Sequence, residues 1–200
     1  MPYIRLTLSA DSAASLASWV DQFWSLGLLS QLDPAAQLGC HPFHITVIGG
    51  LHDHAADDIE RALDAIAATV HPFVLGTPSV AHNCNSLQFH GDIIPLHQAA
   101  VDAGKSFVRG RPYGGSKPIH ITVGRVNKNV SSSLRYEMKR RIGELPPLQI
   151  TGVEFEDDNG GNIIPLMTKV LSSGERDTTN GNEKVNGGSG EDGPVPMQID

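Results

Sequence analysis

Apolar positions along the chain switch between two periods. From Pro2 to Leu8 they alternate as in a strand, and then Leu16, Trp19, Val20 and Phe23 recur at helical spacing behind the capping candidates Asp11 and Ser12. A strand over Phe43 to Ile48 comes next. It is followed by a helix from Asp57, with Ile59, Leu63, Ile66 and Val70 on one stripe and the acids Asp57 and Asp58 suited to its N-terminus. Strands over Phe73 to Ala81 and Ser86 to Phe89 flank the turn formers Asn83 and Asn85, and a helix runs from Pro95 to Val108. After the Gly- and Pro-rich stretch from Gly110 to Pro118 the pattern repeats. A strand from Ile119 to Val123 precedes a helix from about Ser132 that carries Leu134, Met138, Ile142 and Leu145 on one face. A hairpin closes the series, Leu148 to Phe155 and Ile163 to Leu171, turned by Asp158 to Gly161.

The strands are too short and too variably spaced for a regular parallel array. The pattern therefore predicts an α+β fold of two strand-helix-strand lobes, with two antiparallel sheets flanking a central cleft and helices packed on the outside. With 200 residues, 40% of them apolar, the chain has enough material for one compact core. From about Ser173 the composition turns to Gly, Asn, Ser, Asp and Glu. The expected division is a folded unit over residues 1–172 and a disordered acidic tail over 173–200. No window approaches the roughly 18 uninterrupted apolar residues of a bilayer span, and Met1 to Arg5 has no signal-peptide character. The expectation is a soluble monomer of the cytoplasm or nucleus with no membrane partner. Two cysteines, Cys40 and Cys84, far apart and in no metal spacing, suit a reducing compartment.

The net charge of −7 hides an asymmetry. Between Lys105 and Arg141 stand ten basic residues and one acid, Glu137, a net of +9, which leaves −16 for the rest. Such a chain suits a small anion or the phosphate of a nucleic-acid end better than duplex DNA. From Arg135 to Arg141 the basic run also fits a plain solvated helix face.

The repeat carries a sharp mark. Pro42-Phe-His44-Ile-Thr46-Val47 and Pro118-Ile-His120-Ile-Thr122-Val123 share one pattern: Pro, an apolar residue, then His-Ile-Thr-Val. On a strand, residues two apart share a face. His44 and Thr46 thus point one way and Phe43, Ile45 and Val47 the other, with the same division around His120 and Thr122. If the lobes meet about a pseudo-two-fold axis, both polar faces line one cleft. Two imidazoles, each near neutrality in its titration, then make a general acid and a general base, and two hydroxyls can hold phosphoryl oxygens as charge develops. No metal or other cofactor is required for that chemistry.

This arrangement resembles the 2H phosphoesterase superfamily, whose mark is two His-x-Thr/Ser motifs in a duplicated α+β fold of about this size. The resemblance covers Pro2 to Leu171 in layout, and the two hexapeptides are its specific part. It implies catalytic roles for His44 and His120 and phosphate-holding roles for Thr46 and Thr122. In that family the loop before the second motif borders the substrate, which here offers Arg109, Arg111, Tyr113 and Lys117, the last three taken as substrate-binding candidates. The implied activity is hydrolysis of 2′,3′-cyclic phosphates on nucleotides or RNA ends, to a 2′-phosphate. Near-symmetry of the motifs leaves open which histidine is acid and which is base.

Other readings stand beside it. One has a 2′-5′ oligonucleotide as the substrate of a phosphodiesterase, and another has a module that binds a nucleotide or RNA end without turnover. A scaffold role has only the acidic tail in its favour. A metal reading draws on His41, His52, His54, His71, His82, His90 and His97, but none of these forms a recognised ligand signature.

Overall fold

The computed structural model describes residues 2–25, 43–51, 54–113, 118–124, 132–159 and 162–173. Lys117, Cys40, His41 and His52 lie outside these, as does the expected tail beyond Ser173. The chain runs β1 (Tyr3–Leu8), α1 (Ala10–Ser25), β2 (His44–Gly49), α2 (Ala56–Thr69), β3 (Phe73–Val74), β4 (Ser79–Val80) and β5 (Ser86–Phe89). It continues through α3 (Ile93–Lys105), β6 (Arg111–Pro112), β7 (Ile119–Thr122), α4 (Ser132–Arg141), β8 (Gln149–Asn159) and β9 (Asn162–Val170).

Two antiparallel sheets result, as the period-two segments predict. The larger has six strands in the order β3-β8-β1-β2-β6, with β9 on the same edge of β8 as β3; the smaller is β4-β5-β7. Alternation decides what each strand buries. Ile4, Leu6, Ile45, Val47, Val153 and Phe155 are buried from the large sheet, and Leu87, Phe89, Ile119 and Ile121 from the small one, in one continuous apolar cluster. Burying each such side chain is worth about 1.5–3 kcal/mol against leaving it in water.

The helices cover these sheets in the way their stripes require. Leu16, Trp19, Val20 and Phe23 turn the buried side of α1 inward, and the Trp19 indole N–H donates to the Arg141 carbonyl at 2.9 Å, joining α1 to the end of α4. Helix α2 buries Ile59, Ala62, Leu63 and Ile66, with Asp57 and Asp58 in its first turn. Helix α3 buries Ile93, His97, Ala100, Val101 and Gly104 and packs on α2 and β2.

Three local expectations are refined. The single strand over Phe73 to Ala81 is two short strands in different sheets: β3 pairs β8, β4 pairs β5, and Leu75 to Pro78 carries the chain across. Gly76 and Pro78 account for the break, since proline has no N–H to give a ladder. Helix α4 ends at Arg141 and tightens into a 3-10 turn, Ile142–Glu144, before Leu145. The stretch expected to be loop also contributes a strand, β6, opposite Ile48 and Gly49 of β2. Gly110 permits that pairing, because a Cβ there would stand 2.8 Å from Leu51 Cδ2 and 2.9 Å from the Gly49 carbonyl oxygen.

Candidate active site

Each motif occupies a strand with the faces its alternation dictates. On β2, His44 and Thr46 are half-buried while Ile45 and Val47 are buried; on β7, His120 is half-buried and Thr122 exposed, while Ile119 and Ile121 are buried. The two strands belong to different sheets and approach each other directly. Both histidines and both threonines thus stand on the polar sides of neighbouring strands.

Tyr113 spans the junction. Its backbone N–H donates to the Val47 carbonyl at 2.8 Å, and its ring centroid lies 6.2 Å from that of His120. Arg111 instead sits opposite Gly49, at the end of β2 remote from His44, with its side chain exposed. Of the three loop candidates, Tyr113 is brought to a histidine, Arg111 is held beside the far end of β2, and Lys117 lies outside the described residues.

The imidazole of His120 has a defined tautomer. Nδ1 is 3.0 Å from the Pro118 carbonyl oxygen, which can only accept, so Nδ1 carries the hydrogen and Nε2 is left for proton exchange. The cross-strand partners of His120 and Thr122 are Gln88 and Ser86, which extend the polar face over β5.

Beneath the first motif the floor is charged. Thr7 pairs with His44 and Arg5 with Thr46 across β1 and β2, and on the other side of β1 Arg5 pairs with Glu154 and Tyr3 with Glu156 of β8. Arg5 is fully buried. Its Nη2 and Nε donate to Glu154 Oε2 at 2.8 and 3.1 Å, and its Nη1 donates to Glu156 Oε2. With both carboxylates ionised the cluster has one negative charge in excess, and Glu156 Oε1 is buried with no hydrogen-bond partner among the described residues. The Tyr3 hydroxyl donates to Glu156 Oε2 at 3.0 Å, while its ring stacks on the His44 imidazole, centroids 5.3 Å apart and planes 27° from parallel.

A second support comes from α3. The Nε2–H of His97 donates to the Thr46 carbonyl at 2.9 Å, tying the helix to the middle of the first motif. Burial pushes the proton affinity of His97 down, opposed by that carbonyl bond. Sequence reasoning left His97 among stray histidines and passed over Tyr3, Arg5, Glu154 and Glu156. The signal for His97 was its place in the stripe Ile93, His97, Ala100, Val101; for the others it was strand alternation, which puts Tyr3, Arg5 and Thr7 on one side of β1.

Three further histidines, His54, His71 and His90, make local contacts. His71 Nδ1–H donates to the Ser172 carbonyl at 2.8 Å, His54 meets the Arg109 backbone, and His90 is 3.3 Å from the Ser79 hydroxyl. Among the described residues no three His, Cys, Asp or Glu side chains gather as a metal set. Cys84 is buried in a left-handed turn, and burial raises its thiol pKa, so it stays protonated near neutrality. A groove of about 420 Å³ between α1 and the Glu144 to Pro146 segment shares no residue with either motif. No helix among the described residues is long and apolar enough to cross a membrane.

No family model matches the chain, and no curated protein matches its sequence. Solved structures do share its fold. E. coli LigT, solved in complex with 3′-AMP, is similar at a TM-score of 0.50 and 14% identity, over 86% of this chain and 97% of that one. Kluyveromyces marxianus Usb1 (TM-score 0.49, 9% identity, 85% and 96% covered) and a phosphoesterase (0.47, 14%, 86% and 98%) are further similar structures. LigT is a 2H phosphoesterase, so the fold expected from the paired motifs is the fold found.

Proposed function

We propose that the chain is a 2H-type phosphodiesterase that opens 2′,3′-cyclic phosphates on nucleotides or RNA ends to 2′-phosphates. The observation that carries this reading is the placement of two His-x-Thr pairs on the polar sides of adjacent strands, one from each sheet. The complex of the similarly folded LigT with 3′-AMP supports a ribonucleotide phosphate as the class of ligand.

His120, with Nδ1–H held by Pro118, offers Nε2 as the base that takes a proton from water. His44, stacked on the Tyr3 ring beside the buried cluster of Arg5, Glu154 and Glu156, is then the acid that faces it. Water oxygen bonds to phosphorus as the bond from phosphorus to O3′ breaks. One proton passes to His120 and another from His44 to O3′, leaving a 2′-phosphate and a free 3′-hydroxyl. Thr46 and Thr122 donate to the non-bridging oxygens as their charge rises. Both proton transfers are supplied by the chain, so this scheme needs no metal.

The test is turnover of a panel of 2′,3′-cyclic mononucleotides in excess chelator, with product phosphate position resolved, for the native chain, His44→Ala and His120→Ala. Chelator-resistant formation of 2′-phosphate, lost in either variant, is the expected result. Turnover confined to 2′-5′ oligonucleotides, or nucleotide binding with no turnover, would overturn it in favour of those readings.

A further inference from the structure

We propose that Tyr3 is a positioning residue for His44, holding the imidazole plane with its ring while its hydroxyl is fastened to the buried Glu156-Arg5-Glu154 cluster. Three observations converge on it. The ring contact is a stack at 5.3 Å and 27°, which restricts rotation of the imidazole about its χ2 torsion. The hydroxyl is itself held, donating at 3.0 Å to a carboxylate oxygen that also accepts from Arg5, so the phenol is not free to swing away. The cluster below cannot give way either, since Arg5 and Glu156 are both fully buried and bound across β1 and β8.

The register makes this contact a built one. Tyr3 pairs with Gly49 and Thr7 with His44, so Tyr3 and His44 start from opposite ends of the paired stretch on the same face and must lean along the strands to meet. They meet on the face that carries Arg5 and Thr46 between them, and Arg5 there has no exposed surface. A residue serving only as sheet glue would satisfy Glu156 without reaching the imidazole. Among the described residues, the charged and titratable groups on the elements packed around His44 include Tyr3 and Arg5 from β1, Glu154 and Glu156 from β8, and His120 with Tyr113 on the adjoining β7 side.

Catalysis by a positioned acid depends on the angle at which its proton meets the leaving oxygen, and misplacement by about 1 Å costs on the order of 100-fold. Loss of the ring should therefore lower kcat with little change in KM. The kinetic part of this inference rests on the phosphodiesterase reading; its spectroscopic part does not.

The experiment compares the native chain with Tyr3→Leu and Tyr3→Phe in two measurements. One is the kcat, KM and pH profile on 2′,3′-cyclic AMP, and the other is an NMR titration of the ring C–H resonances of His44, with His120 as internal reference. Tyr3→Leu is expected to reduce kcat about 30-fold with KM within about twofold, as for an interaction realised in the transition state. It should also displace one limb of the pH profile, abolish the ring-current shift of His44 and leave the His120 curve in place. Tyr3→Phe keeps the ring and the Arg5-Glu156 pair, so it should retain that ring-current shift and lose only about threefold in kcat, about the worth of one hydrogen bond. An unchanged His44 titration in Tyr3→Leu would overturn the proposal, as would a rise in KM alone, which would make Tyr3 a contact to the nucleobase. Should the native chain turn over no cyclic nucleotide, the phosphodiesterase reading fails while the His44 resonances still decide the role of Tyr3.

Discussion

The two motif strands carry the same Pro-apolar-His-Ile-Thr-Val pattern and live in different surroundings. β2 lies inside a six-stranded sheet, with β1 along its length and β6 at its end, and its histidine stands over a buried ion cluster. β7 is the edge of a three-stranded sheet, and its histidine is held by the carbonyl two residues back and flanked by Tyr113. Duplicated sequence therefore presents the same two functional groups twice. The neighbours make one copy unlike the other, and that inequality is the ground on which His44 is proposed as the acid and His120 as the base.

The largest expected effect tests whether the copies are equal in need. His44→Ala and His120→Ala should each lower kcat/KM by about 10³-fold, within the range for a lost general acid or base, and the double variant should fall little further. Additive losses in the double variant would mean that the two imidazoles do not act as a unit.

The next effect separates the supports. Arg5→Leu leaves Glu156 and Glu154 without their buried cation and should cost about 3–5 kcal/mol in urea unfolding. Gln88→Ala, beneath the second motif, should cost under about 1 kcal/mol. Similar losses at both positions would remove the distinction drawn between the sheets. Tyr3→Leu, with its predicted loss of about 30-fold in kcat, belongs at this level, and an equivalent change at Tyr113 should displace His44 far less.

His97 gives a smaller effect with a sign in pH. Its Leu variant leaves the Thr46 carbonyl buried without that partner, at about 1–3 kcal/mol. Because burial lowers the folded-state pKa of His97, the unfolded chain binds its proton more readily. The histidine's contribution is thus full above its ordinary value of 6.5 and is lost as pH falls below it. Urea midpoints taken from pH 7.5 down to pH 5 should drop more steeply for the native chain than for His97→Leu. Parallel slopes would show that His97 is not the group responsible.

The smallest effect concerns the loop. Arg111→Ala, at the exposed far end of β2, should change turnover of a mononucleotide by less than about threefold. A larger loss would return Arg111 to the substrate-binding group proposed from the family resemblance.

What the sequence made legible follows from the range of each interaction. Strand alternation is local, so β1, β2, β7 and the β8-β9 hairpin, together with the outward faces of His44, Thr46, His120 and Thr122, could be placed from spacing. Helical stripes located α1 to α4 to within a few residues. Register is not local. Arg5 meets its carboxylates across separations of 149 and 151 residues, and no period within β1 or β8 says which residues will stand opposite. A buried Arg in an alternating strand therefore looks like a solvent-facing one. The split of Phe73 to Ala81 into two sheets and the pairing of β6 were hidden for the same reason, although Gly76, Pro78 and Gly110 marked the places where the chain departs from a regular strand.

The pairing of β1 with β8 bears on how the molecule comes into being during translation. Every strand of the small sheet lies between Ser79 and Thr122, whereas the large sheet needs Tyr3 at one end and Val170 at the other. On a ribosome the lesser sheet has all its strands first, while β1, made before every other strand described, waits for β8, made after all of them but β9. At about 5–20 residues per second that wait is of the order of ten seconds. Throughout it, the Arg5 guanidinium is without the two carboxylates that bury it, and His44 is without its finished floor.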